Sequence, residues 1–352
     1  MDTEPNIFQV SPMRITELHP GTDHELVLQA EDERAGYRGI IAIHNTRLGP
    51  ACGGTRLWRY DSDAAALADA LRLSRAMSYK AAAAGLPMGG GKSVIIADHG
   101  RTAREDLFLA HGRFVEQLGG RYITAEDVGT SFEDMAIVQR ETRHVAGLRD
   151  PSPFTARGVL RALQAAARRR WGTDDLRDRT FALQGCGNVG AALARMLQDA
   201  GARLLLADLD EGRARRVARA AVDRIVASDD IISAPADGFV PCALGGVLDR
   251  DTIPQLRCEI VVGAANNQLA EPADADRLAE RGILYGPDYI ANAGGVIDGA
   301  RHLFHWTDER TRTTIDAIYD TMLGVFASAE QLGVTPAAAA DRLAESRLGG
   351  GA

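Results

Sequence analysis

Residues 180–208, "TFALQGCGNVGAALARMLQDAGARLLLAD", constrain the fold more than any other stretch. A short apolar strand runs into Gly185, Gly187 and Gly190, an apolar-periodic helix follows, and a second strand ends in Asp208. In that setting the first glycine permits a tight turn and the second lets a pyrophosphate approach the backbone. The third allows the helix to pack closely on the sheet. The helix N-terminus offers unpaired N–H groups and the positive end of its dipole to the phosphates. Asp208 lies about 20 residues on, where an acid can hold a ribose 2′-hydroxyl and repel a 2′-phosphate. The glycine pattern alone means little. Strand, turn, helix, second strand and acid together predict a dinucleotide-binding βαβ unit that prefers NAD to NADP, with Arg213, Arg215 and Arg216 nearby as the opposing signal.

The rest of the chain is organised around that unit. At 352 residues it is long enough for two domains. Before it, "GIIAIHNT" reads as a strand, "LGPACGGTR" as a glycine-rich turn, and "DAAALADALRLSRAMSYKAAAA" as a helix ending near Gly85. "GLPMGGG" then turns the chain, and Lys92 opens the strand "KSVIIAD". Residues 1–147 are therefore expected to form a mixed α/β domain and 148–324 a doubly wound Rossmann domain, joined by the "DPSPFT" linker. Helices over about 325–352 are expected to pack back onto the first domain. The formal charge of −8 argues against a nucleic-acid or membrane-surface partner. The acidic opening "MDTEPNIFQVSP" has no apolar core and is not read as a signal peptide. Four dispersed cysteines without a CxxC pair suit a reducing cytoplasm.

The chain carries 40 Lys+Arg residues, all but two of them arginine. The exceptions are Lys80 and Lys92, on either side of the "AAAAGLPMGGG" run. Arginine replaces a solvated lysine easily, but guanidinium cannot lose its proton, so a position that needs a neutral amine must keep lysine. Two lysines in one partly buried region lower each other's pKa and leave one as a base and one as a grip for a carboxylate. Asp127, in "TAEDVGT", is a candidate proton shuttle or a helix cap. "GGGKS" lacks the glycine that a nucleotide-triphosphate loop needs five positions before Gly91, so that reading fails. His302 and His305 have no third ligand nearby in sequence, and no metal site is expected.

Together, "LGPACGGTR", "MSYKAAAAGLPMGGGKSVI", "RYITAEDVGT", "GCGNVG", "PCALGG", "GAANNQL" and "PDYIANAGGVI" resemble the glutamate/leucine/phenylalanine/valine dehydrogenase superfamily, most of all its leucine and valine branch. The resemblance runs from about Gly39 to Leu343. It implies a substrate domain and an NAD domain separated by a cleft, and oxidative deamination of an L-amino acid to a 2-oxo acid, ammonia and NADH. By motif position, Lys80 would bind the substrate carboxylate, Lys92 would activate water, and Asp127 would exchange protons with the amino group. Gly53, Gly54 and Asn267 would help hold the substrate. Thr155, Gly185, Cys186, Gly187, Asn188, Val189, Gly190, Asp208, Leu209, Ala243, Leu244 and Asn266 would contact the cofactor.

The same resemblance gives the side-chain pocket to Cys52, Ala125, Val296 and Gly299. Leucine usually stands at the first and valine at the last, so this pocket is expected to be wider and to admit larger side chains. His99 replaces the usual proline, a departure with no evident catalytic cost. A homo-oligomer is implied, with dimer and octamer both open because the linker and C-terminus are short. Two other readings remain: an aromatic amino acid dehydrogenase, and an inactive NAD-binding regulator, against which the intact Lys80, Lys92 and Asp127 speak.

Overall fold

The computed structural model describes residues 13–97, 103–147, 149–220 and 222–349. The first twelve residues, His99 and the last three residues of the "GGGA" tail lie outside the described residues. The chain divides into two compact units, 1–78 with 87–149, and 79–86 with 150–352.

The first unit holds β1 (Arg14–Glu17), β2 (Leu26–Asp32), β3 (Tyr37–Asn45), β4 (Ala51–Trp58), β5 (Gly89–Ile96) and β6 (Tyr122–Glu126) in one sheet of order β1-β2-β3-β5-β4-β6. Strands β1, β2, β3 and β5 pair antiparallel; β4 runs parallel to both β5 and β6. All eight residues of β5 are buried, because both faces of the sheet are covered. Ile95 packs with Phe108 and Phe114 of α2 (Arg104–Glu116), whereas Val94 and Ile96 pack with Ala66 and Ala70 of α1 (Asp63–Ala83). Successive strand residues face opposite sides. Lys92, two before Val94, therefore projects to the α1 face, and Ser93 to the α2 face. A short helix α3 (Phe132–Val138) follows β6, its start closed by a reciprocal Ser131–Asp134 capping box.

Two glycine-rich runs expected to be turns are strands. "ACGGTR" lies inside β4 and "GGGK" inside β5, so Lys92 sits in mid-strand rather than opening one. The turn before β5 is made earlier, at Gly85, which takes φ +65°.

The second unit contains a six-stranded, all-parallel sheet: β7 (Thr180–Gln184), β8 (Arg203–Ala207), β9 (Arg224–Ile225), β10 (Gly238–Pro241), β11 (Ile260–Val261) and β12 (Leu284–Tyr285). Its order, β12-β11-β10-β7-β8-β9, reverses direction between β7 and β10. That is the doubly wound dinucleotide topology, in which a ligand lies beyond the carboxyl ends of the strands at the reversal. Helices α4 (Ser152–Trp171), α5 (Asn188–Asp199), α6 (Glu211–Val217), α7 (Asp274–Glu280), α8 (Asp288–Ala291) and α9 (Gly294–Leu303) surround it, followed by α10 (Asp308–Asp316), α11 (Ile318–Leu332) and α12 (Pro336–Gly349). Arg347 of α12 donates to the carbonyls of Ala82 (2.8 Å) and Ala83 (2.7 Å), and Tyr79 donates to Glu345. The cation thus caps the negative end of the helix that carries Lys80. Among the described residues, no helix is long and apolar enough to cross a membrane.

Candidate active site

Alternation along the first sheet assembles the chemistry of the first unit. Cys52, Gly54 and Arg56 on β4, Lys92 on β5, and Ala125 with Asp127 at the end of β6 share one face. Lys92 is only 5% exposed, and its Nζ donates to Asp127 Oδ2 at 2.8 Å. Arg56 Nε donates to the same oxygen at 3.0 Å. Burial lowers the pKa of Lys92 below the ordinary lysine value; the Asp127 carboxylate opposes this and the Arg56 cation reinforces it. Burial alone would raise the pKa of Asp127, but Lys92 and Arg56 outweigh it and hold the group below the usual carboxylate value. Burial pushes the neighbouring Cys52 thiol up to about 12, so it stays protonated and acts as an apolar surface.

Gly54 is required by this packing. A Cβ there would lie 2.5 Å from the Glu126 carbonyl oxygen and 2.8 Å from Asp127 Cβ. On the other face, the Tyr122 hydroxyl donates to the Gly53 carbonyl at 2.5 Å and to Ser93 Oγ at 3.1 Å. Thr55, Ser93 and the buried His111 complete that polar cluster. Burial drives the His111 pKa to about 3, so the ring is neutral and can bond Tyr37 and Thr55 as donor to one and acceptor to the other.

The second unit gathers its candidates at the carboxyl ends of its strands. Gly185 takes φ +96° immediately after β7, a conformation that favours glycine, and a Cβ there would lie 2.9 Å from the Ala243 nitrogen beyond β10. Cys186, Gly187, Asn188, Val189 and Gly190 lead into α5. Gly187 has open space where a side chain would stand, leaving room for a pyrophosphate over the turn. Asp208, just past β8, accepts from the Cys186 nitrogen (2.7 Å) and the Asp210 nitrogen (2.9 Å), which fixes it at the strand end. Leu209 and Leu244 are 93% and 80% exposed, apolar surfaces fit to sandwich an adenine. The glycine turn, fixed acid and apolar flanks fit a dinucleotide.

Beyond β11, Asn267 takes φ +51°, a backbone state that asparagine tolerates better than most residues, and its carbonyl accepts from the Gly246 nitrogen at 2.7 Å. Lys80 Nζ donates to Asn266 Oδ1 at 3.2 Å, and Asn292 donates to the same oxygen at 2.9 Å. Thr155, in the first turn of α4, donates its hydroxyl to the Pro151 carbonyl at 3.2 Å. Val296 and Gly299 lie three apart on α9 and so share a face.

Residues 24–144 match the family profile described as Glu/Leu/Phe/Val dehydrogenase, dimerisation domain, and residues 205–348 match the one described as Glutamate/Leucine/Phenylalanine/Valine dehydrogenase. The chain belongs to this dehydrogenase family. It is 47% identical to leucine dehydrogenase of Geobacillus stearothermophilus over 93% of this chain and 91% of that enzyme. It is also 47% identical to valine dehydrogenase of Streptomyces coelicolor, over 92% of each. The crystal structure of L-tryptophan dehydrogenase from Nostoc punctiforme superposes with a TM-score of 0.85 at 44% identity, covering 93% of this chain and 96% of that one. Membership of the Glu/Leu/Phe/Val dehydrogenases makes the protein an amino acid dehydrogenase, an oxidoreductase with a nicotinamide cofactor.

Sequence reasoning brought Lys92 and Asp127 into one account but passed over Arg56, which bonds the same carboxylate oxygen. Reading "ACGGTR" as a strand would have found it, since Arg56 follows Cys52 and Gly54 at period two. Asp69, which accepts from Arg56, and Tyr60, which donates to Asp69, carry no local signal.

Proposed function

We propose that the protein oxidatively deaminates a branched-chain L-amino acid with NAD, giving the 2-oxo acid, ammonia and NADH, and catalyses the reverse amination. The observation that carries this reading is the buried Lys92 amine held 2.8 Å from Asp127. The leucine and valine dehydrogenases named above supply the substrate class. A bound nicotinamide supplies the hydride acceptor. Lys80 and the Gly53–Gly54 backbone take the substrate carboxylate, and Asn267 orients the amino acid. Asp127 exchanges a proton with the amino group, and Lys92, as the free amine, removes a proton from the water that attacks the imine. Asp208, fixed by two backbone N–H groups, favours NAD over its 2′-phosphorylated form.

Turnover of leucine, valine, phenylalanine and tryptophan, followed by NADH absorbance, tests the assignment; no reduction of NAD with any of them rejects it. Preference for the aromatic pair would favour the second reading, an aromatic amino acid dehydrogenase. That reading draws on the tryptophan dehydrogenase likeness and on the open space beside Gly299.

The pH dependence follows from the site. Lys92 must be neutral to act as a base, and its pKa lies below 10.5. The deamination rate therefore rises with pH, reaching half its maximum below the ordinary lysine pKa. Asp127, held below 3.8, is ionised throughout and adds no break in that range. Because unfolded Lys92 binds its proton more tightly than folded Lys92, its contribution to stability also improves as pH climbs between the two pKa values. A pH profile of kcat that falls through the alkaline range would reject Lys92 as the base.

The first unit matches a dimerisation-domain profile, and we propose that the enzyme is a homo-oligomer. Its four cysteines are free thiols, which supports a cytoplasmic location.

A further inference from the structure

Asp127 is the only carboxylate assigned to proton exchange, yet one of its oxygens is already crowded. Oδ2 accepts from both Lys92 Nζ and Arg56 Nε, whereas among the described residues Oδ1 accepts no hydrogen bond. Arg56 is itself held from behind: its Nη1 donates to Asp69 Oδ2 at 2.8 Å, and Tyr60 donates to that same oxygen at 2.8 Å. Arg72 engages the other oxygen of Asp69 at 2.7 Å. Asp69 lies on α1 and Arg56 on β4, so the guanidinium is fastened between a helix and a strand. A planar fork that bridges two carboxylates fixes the orientation of both.

We propose that Arg56 is a positioning residue that divides the two oxygens of Asp127, docking Oδ2 beside Lys92 and leaving Oδ1 for the substrate amino group. The assignment rests on the roles given above to Asp127 and Lys92. It has an electrostatic counterpart. By drawing on the same oxygen, Arg56 weakens the hold of Asp127 on the Lys92 proton and adds a like charge beside the amine. The groups facing Lys92 are Asp127 beyond β6, Arg56 and Cys52 on β4, and Asp69 on α1. Tyr60 faces Asp69 and Arg56, and Tyr122 of β6 faces Cys52 and Asp127; the pKa of each tyrosine hydroxyl is raised by burial, so both stay neutral. Of these described residues, Arg56 is the permanent cation.

The chain has only two lysines, which makes the test direct. Uniform labelling of lysine Cε with 13C gives two side-chain signals, and Lys80→Ala identifies the one belonging to Lys92. In full-length Arg56→Gln that signal is expected to titrate at higher pH than in the parent, by about one unit. Arg56→Met, which also lacks the charge and the fork and adds no lysine signal, should move it in the same direction. In the same variants the rising limb of kcat against pH shifts alkaline by a similar amount, so that activity lost near neutrality, about tenfold for one unit, returns at high pH.

An unchanged Lys92 titration in the glutamine variant, or in the methionine variant should the former fail to fold, overturns the proposal. So does a uniform loss of kcat at every pH, which is what a purely structural role would give. The titration is read without turnover. Failure of the parent to oxidise any amino acid would therefore reject the enzymatic reading while leaving the effect of Arg56 on Lys92 separately measurable.

Discussion

Lys92→Ala is expected to lower kcat for deamination by about 10²–10⁴-fold, the usual contribution of a positioned general base, while NADH still binds. The two effects separate because Lys92 stands on β5, and the dinucleotide turn belongs to the parallel sheet of the other unit. Asp127 keeps Arg56 as its partner, so removal of the amine does not leave an isolated buried charge. Lys92→Met, which fills the same volume without a proton acceptor, should behave alike. Steady-state kinetics with NADH fluorescence titration checks both. Near-parental kcat in either variant would return Lys92 to the status of a structural ion pair, and loss of NADH binding would point to a wider collapse.

The second large effect concerns selectivity. Gly299 lies inside α9, and apart from its chain neighbours and the helix's own backbone no atom among the described residues stands within 4 Å of where a Cβ would be. The Cβ of Gly299→Val therefore meets open space, and in a helix valine is slightly better than glycine. If position 299 bounds the substrate side chain, the variant narrows the space, and kcat/KM for tryptophan or phenylalanine falls relative to leucine or valine. Gain or loss of a few methylene-sized volumes in an apolar pocket changes selectivity about 10–200-fold. Ratios of kcat/KM across the four amino acids measure it directly. An unchanged ratio would remove position 299 from the pocket and, with it, the aromatic reading's main structural support.

The dinucleotide unit was legible because each of its parts is local: strand, glycine turn, helix and acid fall within 29 consecutive residues. Lys92 was singled out for another reason, the rarity of lysine in this chain, and Asp127 by its place at the end of the "RYITAED" strand. The glycines of β4 and β5 misled because they usually mark turns, whereas here they admit close neighbours. Gly54 makes room for Asp127, and a Cβ at Gly91 would lie 2.7 Å from the Tyr122 ring. That misreading hid Arg56. Nor could local pattern show that 79–86 groups with 150–352, since the bonds responsible join Tyr79, Ala82 and Ala83 to residues more than 260 positions away.

A strand buried on both faces also sets what amine chemistry can reach. Acylating or alkylating reagents directed at lysine find Lys92 shielded and Lys80 as the only partly exposed side-chain address among the described residues, since arginine supplies every other basic charge. A probe installed in this way lands on the residue assigned to the substrate carboxylate. If Lys80 takes the substrate carboxylate as proposed, modification of its amine is expected to abolish turnover.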